Sequence, residues 1–584
     1  MSSRQGIPRP ETASEGDLRF YQAAEAYLDG MLRLNPTAST YHGFHAYDGL
    51  LEDLGPSGVQ ERVAFYREWK GRFAGFREGS LSPGALSDLQ LLVNDAGGSL
   101  FALEELRSHE SDPTLHNDII GYSALGLTLL SEGDPAWPDR LASLRSRLKE
   151  LPGFLSKARQ SLKSPARVLT SFTAVQNRGN IEFFRRALPL LFAHAPSLRA
   201  GLEKELARAL EALEGYQRFL EGDLLTRSTG SWKLGRELWT AKLRYTLQSD
   251  MSPDEIAARA WKHITAERQR MLELADPLHS RLFPSHHHGE KGEERINLIV
   301  GEVMDIVSKR HSRPDELLRD VREKWVPKVL EFIRRAGILS LPPEQDNFVV
   351  ERTPGFLDGR AVAFFNPPPA FEPGLKKSFW ISSLPSTGDP ERDRESAESF
   401  LREYNDYGLQ NLTMHEAFPG HYVQFYYALN SPYASIYKKI FANSTFAEGW
   451  AVLCEEQMFD AGYAADEPEC ELVHRKMSLR APINAILDAR LHTEMVSDEE
   501  ADRWAMDLMR RFGFQEEAEA DGKLRRAKVT STQLSTYFVG YLELKDLTED
   551  YRRKTGPAFK LREFNEKLLS YGTIPPRSIR SLML

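Results

Sequence analysis

The sequence predicts a mainly α fold, with two helical lobes around a deep cleft and a small β-sheet beside it. Three observations predict it. Amphipathic runs at helical spacing recur along the chain, strand signals are few, and one short segment joins two histidines and a glutamate to a proline–glycine break.

Apolar residues repeat at threes and fours over residues 18–33, 62–76, 86–106 and 196–220, then over 253–274, 295–308 and 314–336. Loops rich in Pro, Gly and Asp separate them. Within 200–220 the leucines and alanines are spaced among Glu, Lys and Arg, the pattern of an exposed bundle helix. Strand signals are confined to residues 348–350, 360–365 and 377–382. The last, Lys377-Ser378-Phe379-Trp380-Ile381-Ser382, follows Asn366-Pro367-Pro368-Pro369. It reads either as an edge strand able to pair with an extended peptide or as part of a structural hairpin. No repeat of fixed period is present. The expected division is a helical N-terminal lobe over residues 1–235 and a second helical lobe over 236–584 that carries the histidine segment.

The composition bounds the function. A chain of 584 residues with 41% hydrophobic and 27% charged residues can bury a large core. A formal charge of −9 argues against a nucleic-acid partner, and no apolar run suits a membrane span. Residues 1–16 are polar and lack an apolar signal core, so a cytoplasmic location is expected. Cys454 and Cys470 are the only cysteines, which predicts neither a disulfide scaffold nor a thiolate metal site.

The stretch Thr413-Met414-His415-Glu416-Ala417-Phe418-Pro419-Gly420-His421 holds the raw material of a zinc hydrolase: two imidazoles for a metal and a carboxylate to activate water. In the common H-E-x-x-H form the histidines sit four apart on one helical face. Here they are separated by two further residues, which on a regular helix would turn His421 about 120° away from a plain repeat of His415. Pro419 has no N–H for the His415 carbonyl, and Gly420 accepts backbone angles that other residues avoid. The pair predicts a bulge or break that swings His421 back toward His415.

A third donor is expected from the next helix. Asn443 or Ser444 can cap it, Phe446, Trp450 and Leu453 give it an apolar face, and Glu448 falls in its first turns. Glu455 lies two turns beyond, so both carboxylates point the same way. Glu448 is the expected ligand and Glu455 a support for the site or a substrate contact. His415, His421 and Glu448 then hold one zinc ion, with Glu416 as general base.

The segment His415-Glu416-Ala417-Phe418-Pro419-Gly420-His421, with Gln424 after it, resembles the H-E-x-x-P-G-H-H-x-Q signature of the bacterial family known as domain of unknown function 885. Glu448-Gly449-Trp450-Ala451 is similar to its second motif. Gly235-Arg236-Glu237-Leu238-Trp239, Ser252-Pro253-Asp254-Glu255-Ile256, Gln533-Leu534-Ser535-Thr536-Tyr537 and Gly572-Thr573-Ile574-Pro575 also look like family elements. The resemblance implies a helical zinc peptidase with a downstream glutamate ligand, and residues 236–584 as its catalytic lobe. It also brings His492 and Tyr537 near the site, where either suits stabilisation of an oxyanion. Many relatives look like exported lipoproteins. Tyr422 stands where the family often has a second consecutive histidine, Phe538 where a lysine is usual and Arg490 where a glycine is common.

The expected reaction is hydrolysis of peptide bonds in short peptides. Arg490 or Arg526, if they line the cleft, would grip a substrate carboxylate, which favours a carboxypeptidase among exopeptidases and oligopeptidases. The alternatives are an amidase acting on a non-peptide amide and a non-catalytic peptide-binding relative. The intact Glu416 argues against the latter. The run Ser285-His286-His287-His288-Gly289-Glu290 invites a second metal reading, but consecutive loop residues rarely present three ligands at fixed geometry. It is expected to be an exposed loop without a role.

Overall fold

The computed structural model describes residues 6–10, 14–76, 78–343, 347–353, 362–384, 389–431, 433–494 and 496–584. Helices dominate it, and the described strands form one three-stranded sheet. The mainly α expectation holds.

The first expected run folds as the helix Glu15–Leu34, whose Phe20, Tyr21, Ala24, Tyr27, Leu28 and Met31 are buried at threes and fours. Its N-terminus is capped by the Ser14 hydroxyl. The runs at 196–220, 253–274 and 295–308 fold as the helices Arg199–Phe219, Pro253–Leu282 and Gly292–Val307. The run at 314–336 is divided. A wider π turn, Val321–Trp325, lies between Leu317–Asp320 and Val326–Ala336. Pro327 has no N–H for the carbonyl four residues back, and the widened turn lies where that bond is missing. No described helix is long and apolar enough to cross a membrane.

Among the described residues, three large groups of buried side chains hold the protein together. One, from Leu54 to Leu224, is built by helices such as Trp137–Ser161 and Arg199–Phe219. A second gathers Phe20, Tyr27, Trp69 and Leu92, and it includes Tyr437 from much later in the chain. The third runs from Trp232 to Met583 and takes in Leu91 and Ala166 from the first half. The expected lobes are therefore stitched together by shared apolar contacts.

The sheet consists of β1 (Phe348–Arg352), β2 (Ala363–Asn366) and β3 (Lys377–Ile381), in the order β1-β3-β2. The segment read from sequence as a candidate edge strand is instead the centre, parallel to β1 and antiparallel to β2. Both its hydrogen-bonding edges are occupied and every residue is buried, so it cannot receive a peptide. Arg360 and Ala361, at the start of the second strand signal, lie outside the described residues. The sheet is tied to the N-terminal half. The Tyr41 hydroxyl donates to Asn366 Oδ1 at 2.9 Å, and the Phe371 N–H donates to the His42 carbonyl at 2.9 Å.

Two helices that matter for the site, Ser444–Asp460 and Ser535–Thr555, cross at glycines. A Cβ on Gly449 would lie 2.2 Å from the Gly540 carbonyl carbon, and one on Gly540 would lie 1.8 Å from the Thr445 carbonyl oxygen. Only hydrogen fits there. Gly540→Ala should therefore destabilise the protein by about 1–3 kcal/mol or more through overpacking. Gly522→Ala, in a helix interior where a Cβ meets nothing within 4 Å, should stabilise it by up to about 1 kcal/mol. Urea denaturation of both variants checks the opposite signs.

Candidate metal centre

The helix Asp406–Glu416 ends where the proline–glycine pair predicts, and a new helix, His421–Asn430, begins at the second histidine. Between them the chain makes an irregular turn with a cis Phe418–Pro419 peptide. The turn keeps its backbone groups paired. The Phe418 N–H donates to the Thr413 carbonyl at 3.1 Å, and the Gly420 N–H donates to the Met414 carbonyl at 2.9 Å. A Cβ on Gly420 would lie 1.9 Å from the His415 carbonyl oxygen, so the residue before the second histidine must be glycine. Trp450 pins the turn from the neighbouring helix, its indole N–H donating to the Pro419 carbonyl at 3.0 Å.

The break brings the two imidazole centroids to 4.8 Å. Glu448, on the helix capped by Asn443, completes the group. Its Oε2 lies 3.4 Å from His415 Nε2 and 3.5 Å from His421 Nε2. This oxygen is buried and has no hydrogen-bond partner. Ligands about 2.0–2.2 Å from a tetrahedral zinc are separated by about 3.4 Å, so the spacing fits a shared cation better than direct hydrogen bonds.

Behind His415 runs a chain of buried polar groups. His415 Nδ1 donates to Glu455 Oε1 at 2.6 Å, and Glu455 Oε2 accepts from Asn411 Nδ2 at 2.7 Å. Asn411 Oδ1 in turn accepts from His474 Nδ1 at 2.8 Å. A carboxylate can only accept, so in the neutral His415 ring the proton sits on Nδ1 and the Nε2 lone pair faces Glu448. Burial disfavours charge on His415, but Glu448 and Glu455 outweigh it and raise its proton affinity well above that of a free histidine. Burial also works against the Glu448 carboxylate, yet His415 and His421 hold it well below the usual carboxylate range. The field that would retain a proton here equally favours a metal cation.

Glu416 occupies the cluster's other side. Its Oε2 accepts the Phe365 backbone N–H of β2 at 2.8 Å. Burial pushes its carboxyl up, the two histidines oppose the shift, and Glu448 adds to it. That raised proton affinity suits a base. Tyr537 stacks on His415 at 6.4 Å between centroids, and its hydroxyl oxygen accepts from Arg526 Nη2 at 3.1 Å. Burial raises the Tyr537 pKa and Arg526 counters it.

His415, Glu416, His421, Glu448, Glu455, Arg526 and Tyr537 are therefore brought together, whereas His492 and Arg490 are not. His492 is buried with Nε2 donating to the Ala527 carbonyl at 2.8 Å and its ring edge-on to Trp232, so it has no free donor for an oxyanion. Arg490 lies over the Trp504 ring at 4.0 Å and donates to Glu494 at 2.6 Å, which removes it as a substrate grip. Tyr422 packs among Phe348, Phe365 and Phe418, so the ring facing Glu448 belongs to His421. Sequence reading missed Asn411, His474 and Asp488. The buried Asp488 accepts from Trp239 Nε1 and from the Thr532 and Ser535 backbone N–H groups, and so fixes the start of the Tyr537 helix. A cavity of about 690 Å³ opens elsewhere, beside Arg402, Lys476 and Arg510, so it is the donor set and not cavity size that marks this centre.

Fold and site together define a mainly helical protein with a two-histidine, one-glutamate donor set flanked by two further carboxylates, Glu416 and Glu455. The model of the family described as bacterial protein of unknown function, DUF885, matches residues 36–583, and the chain belongs to that family. Among solved structures it is similar to "a putative lipoprotein of unknown function" from Shewanella oneidensis. The identity is 30%, the match covers 97% of this chain and 99% of that one, and the TM-score is 0.79. It is also similar to "the putative lipoprotein from Colwellia psychrerythraea", with 16% identity, 98% of each chain covered and a TM-score of 0.76, a likeness of fold alone. No curated protein matches the chain.

Glu455 should tune the centre without being a ligand. Glu455→Gln is expected to weaken zinc binding by about 10–100-fold, and Asn411→Ala to do so less, as read by competition with a chromophoric chelator. Unchanged affinity in Glu455→Gln would disconnect the polar chain from the metal site.

Proposed function

We propose that this protein is a zinc-dependent hydrolase that cleaves peptide bonds in short peptides. The observation that supports the reading best is the convergence of His415 Nε2 and His421 Nε2 on the unpartnered Glu448 Oε2, with Glu416 beside them. His415, His421 and Glu448 would hold the ion. When bound, it supplies Lewis acidity to a substrate carbonyl and lowers the pKa of water.

The chain's own residues carry the proton and the orientation. Glu416 Oε2 is occupied by the Phe365 N–H, which leaves Oε1 to take a proton from water and pass it to the departing nitrogen. Arg526 donates to the Tyr537 oxygen, so the phenol's own proton is available to a developing negative oxygen. With Arg490 turned away, preference for a free C-terminus rests on Arg526, which already serves Tyr537 and Gln533. A cytoplasmic location belongs to the same proposal. The free, buried thiols of Cys454 and Cys470 suit a reducing compartment, and cell fractionation tests this against the lipoprotein description of the Shewanella relative.

Glu416→Gln should keep its zinc and its fold while turnover falls about 10²–10⁴-fold, whereas Glu448→Gln and His421→Ala should lose zinc, as elemental analysis beside peptide hydrolysis would read. Tyr537→Phe should lower kcat by about 10²–10³-fold at unchanged metal content. Full turnover in Glu416→Gln would overturn the assignment of the base. A free peptide should be cut faster than its C-terminally amidated twin, and denatured casein hardly at all. Equal rates on the twins would remove the carboxypeptidase version, and efficient internal cutting of casein would replace it with a general endopeptidase.

A further inference from the structure

A second cluster of metal-ligating groups lies on the helical hairpin made by Pro253–Leu282 and Gly292–Val307. His279 comes from the last turn of the first helix, Glu302 from the second, and His286 and His288 from the loop between them. His279 Nε2 lies 2.7 Å from Glu302 Oε2, His288 Nε2 3.1 Å from it, and His286 Nδ1 3.3 Å from it. Donor atoms of all four residues fall within 4.8 Å of one another.

The loop is folded to make this possible. The Phe283 N–H donates to the His279 carbonyl at 2.8 Å, and the His286 N–H donates to the Phe283 carbonyl at 3.0 Å, which turns the chain back over the helix end. Arg295 ties down the far side, reaching the His288 carbonyl at 3.3 Å and Asp276 at 2.7 Å. Alternate residues of the His286-His287-His288 stretch share a side, and the ring between them is exposed. The His286 and His288 centroids are 4.4 Å apart, and each lies within 5.8 Å of the His279 centroid. His279 and His288 are almost fully buried, with side-chain exposures of 5% and 8%.

Three imidazoles around one carboxylate oxygen are poorly satisfied by hydrogen bonds alone. An oxygen of this kind has two lone pairs, and a neutral imidazole has one N–H to give. A single cation accepts a lone pair from all four groups. The His288 and His286 separations of 3.1 and 3.3 Å from Glu302 Oε2 approach the edges of a tetrahedral site of about 3.4 Å, while the 2.7 Å His279 contact is a hydrogen bond that an ion would replace. Imidazole with carboxylate suits zinc and its neighbours copper and nickel, not calcium or magnesium.

The geometry points to a second, structural zinc site made by His279, His286, His288 and Glu302, distinct from the centre at His415. Four protein groups fill a tetrahedral shell, so this ion staples the loop to both helices and does no chemistry. The inference does not depend on the hydrolase reading.

The test uses the full chain with the first centre removed by His415→Ala and His421→Ala. Zinc titration by calorimetry should still find one equivalent with a Kd below about 10 μM, and zinc should raise the melting temperature of this variant. Adding His286→Ala, an exposed position, together with the near-isosteric Glu302→Gln should abolish that equivalent and the thermal shift. In the otherwise native protein the same two substitutions should take zinc from two equivalents to one and leave peptide hydrolysis unchanged. The proposal is overturned if the first variant binds no zinc in that range. It is equally overturned if binding survives the changes at His286 and Glu302.

Discussion

Glu455 is a carboxylate sealed inside a helical core, and its two oxygens hold two side chains of one neighbouring helix, Asp406–Glu416. One accepts from the His415 ring and the other from Asn411. Burying such a charge is tolerable only when it is fully hydrogen-bonded, and here the partners are also the groups that aim the site. The His415 tautomer, the facing of its lone pair toward Glu448 and the stacking of Tyr537 on its ring all follow from this bond. The glycine crossing at Gly449 and Gly540 serves the same end. It lets the Glu448 helix and the Tyr537 helix lie close enough for a ligand and a hydroxyl donor to face one ring.

Much of the centre was legible because it rests on local rules. Pro419 and Gly420 forbid a regular helix, and six positions of separation then bring the two rings together only through a break. Asn443 caps the next helix, so the phase of Glu448 and Glu455 could be counted from it. The misplacements at His492 and Arg490 have a different origin. Both lie on the helix Arg480–Thr493, and the turn of that helix about its own axis is set by partners distant in sequence. Trp232 and Ala527 claim His492, and Trp504 claims Arg490. No spacing within the helix reveals the partners of His492, whereas Glu494, four positions after Arg490, is a partner that spacing does offer.

The histidine run at 286–288 shows the same limit from the other side. Read alone it is three adjacent rings on a polar loop. Its proposed role comes from His279 and Glu302, which only the return of the loop over the helix end brings within reach. Asp488 likewise reads as an ordinary helix carboxylate, although it collects three N–H groups from two segments distant in sequence. Polar residues that organise a core carry little signal in sequence, because their partners are distributed along the chain.

The small sheet has an evolutionary corollary. The Phe365 N–H that orients Glu416 belongs to a strand whose next residue is held by Tyr41, more than three hundred positions earlier. The base is thus anchored through a strand that leans on the opposite end of the polypeptide. Inheritance of the histidine-bearing half as a free-standing module would leave that strand without its Tyr41 anchor. Gene fusion or fission near the middle of this chain is therefore constrained by one backbone amide.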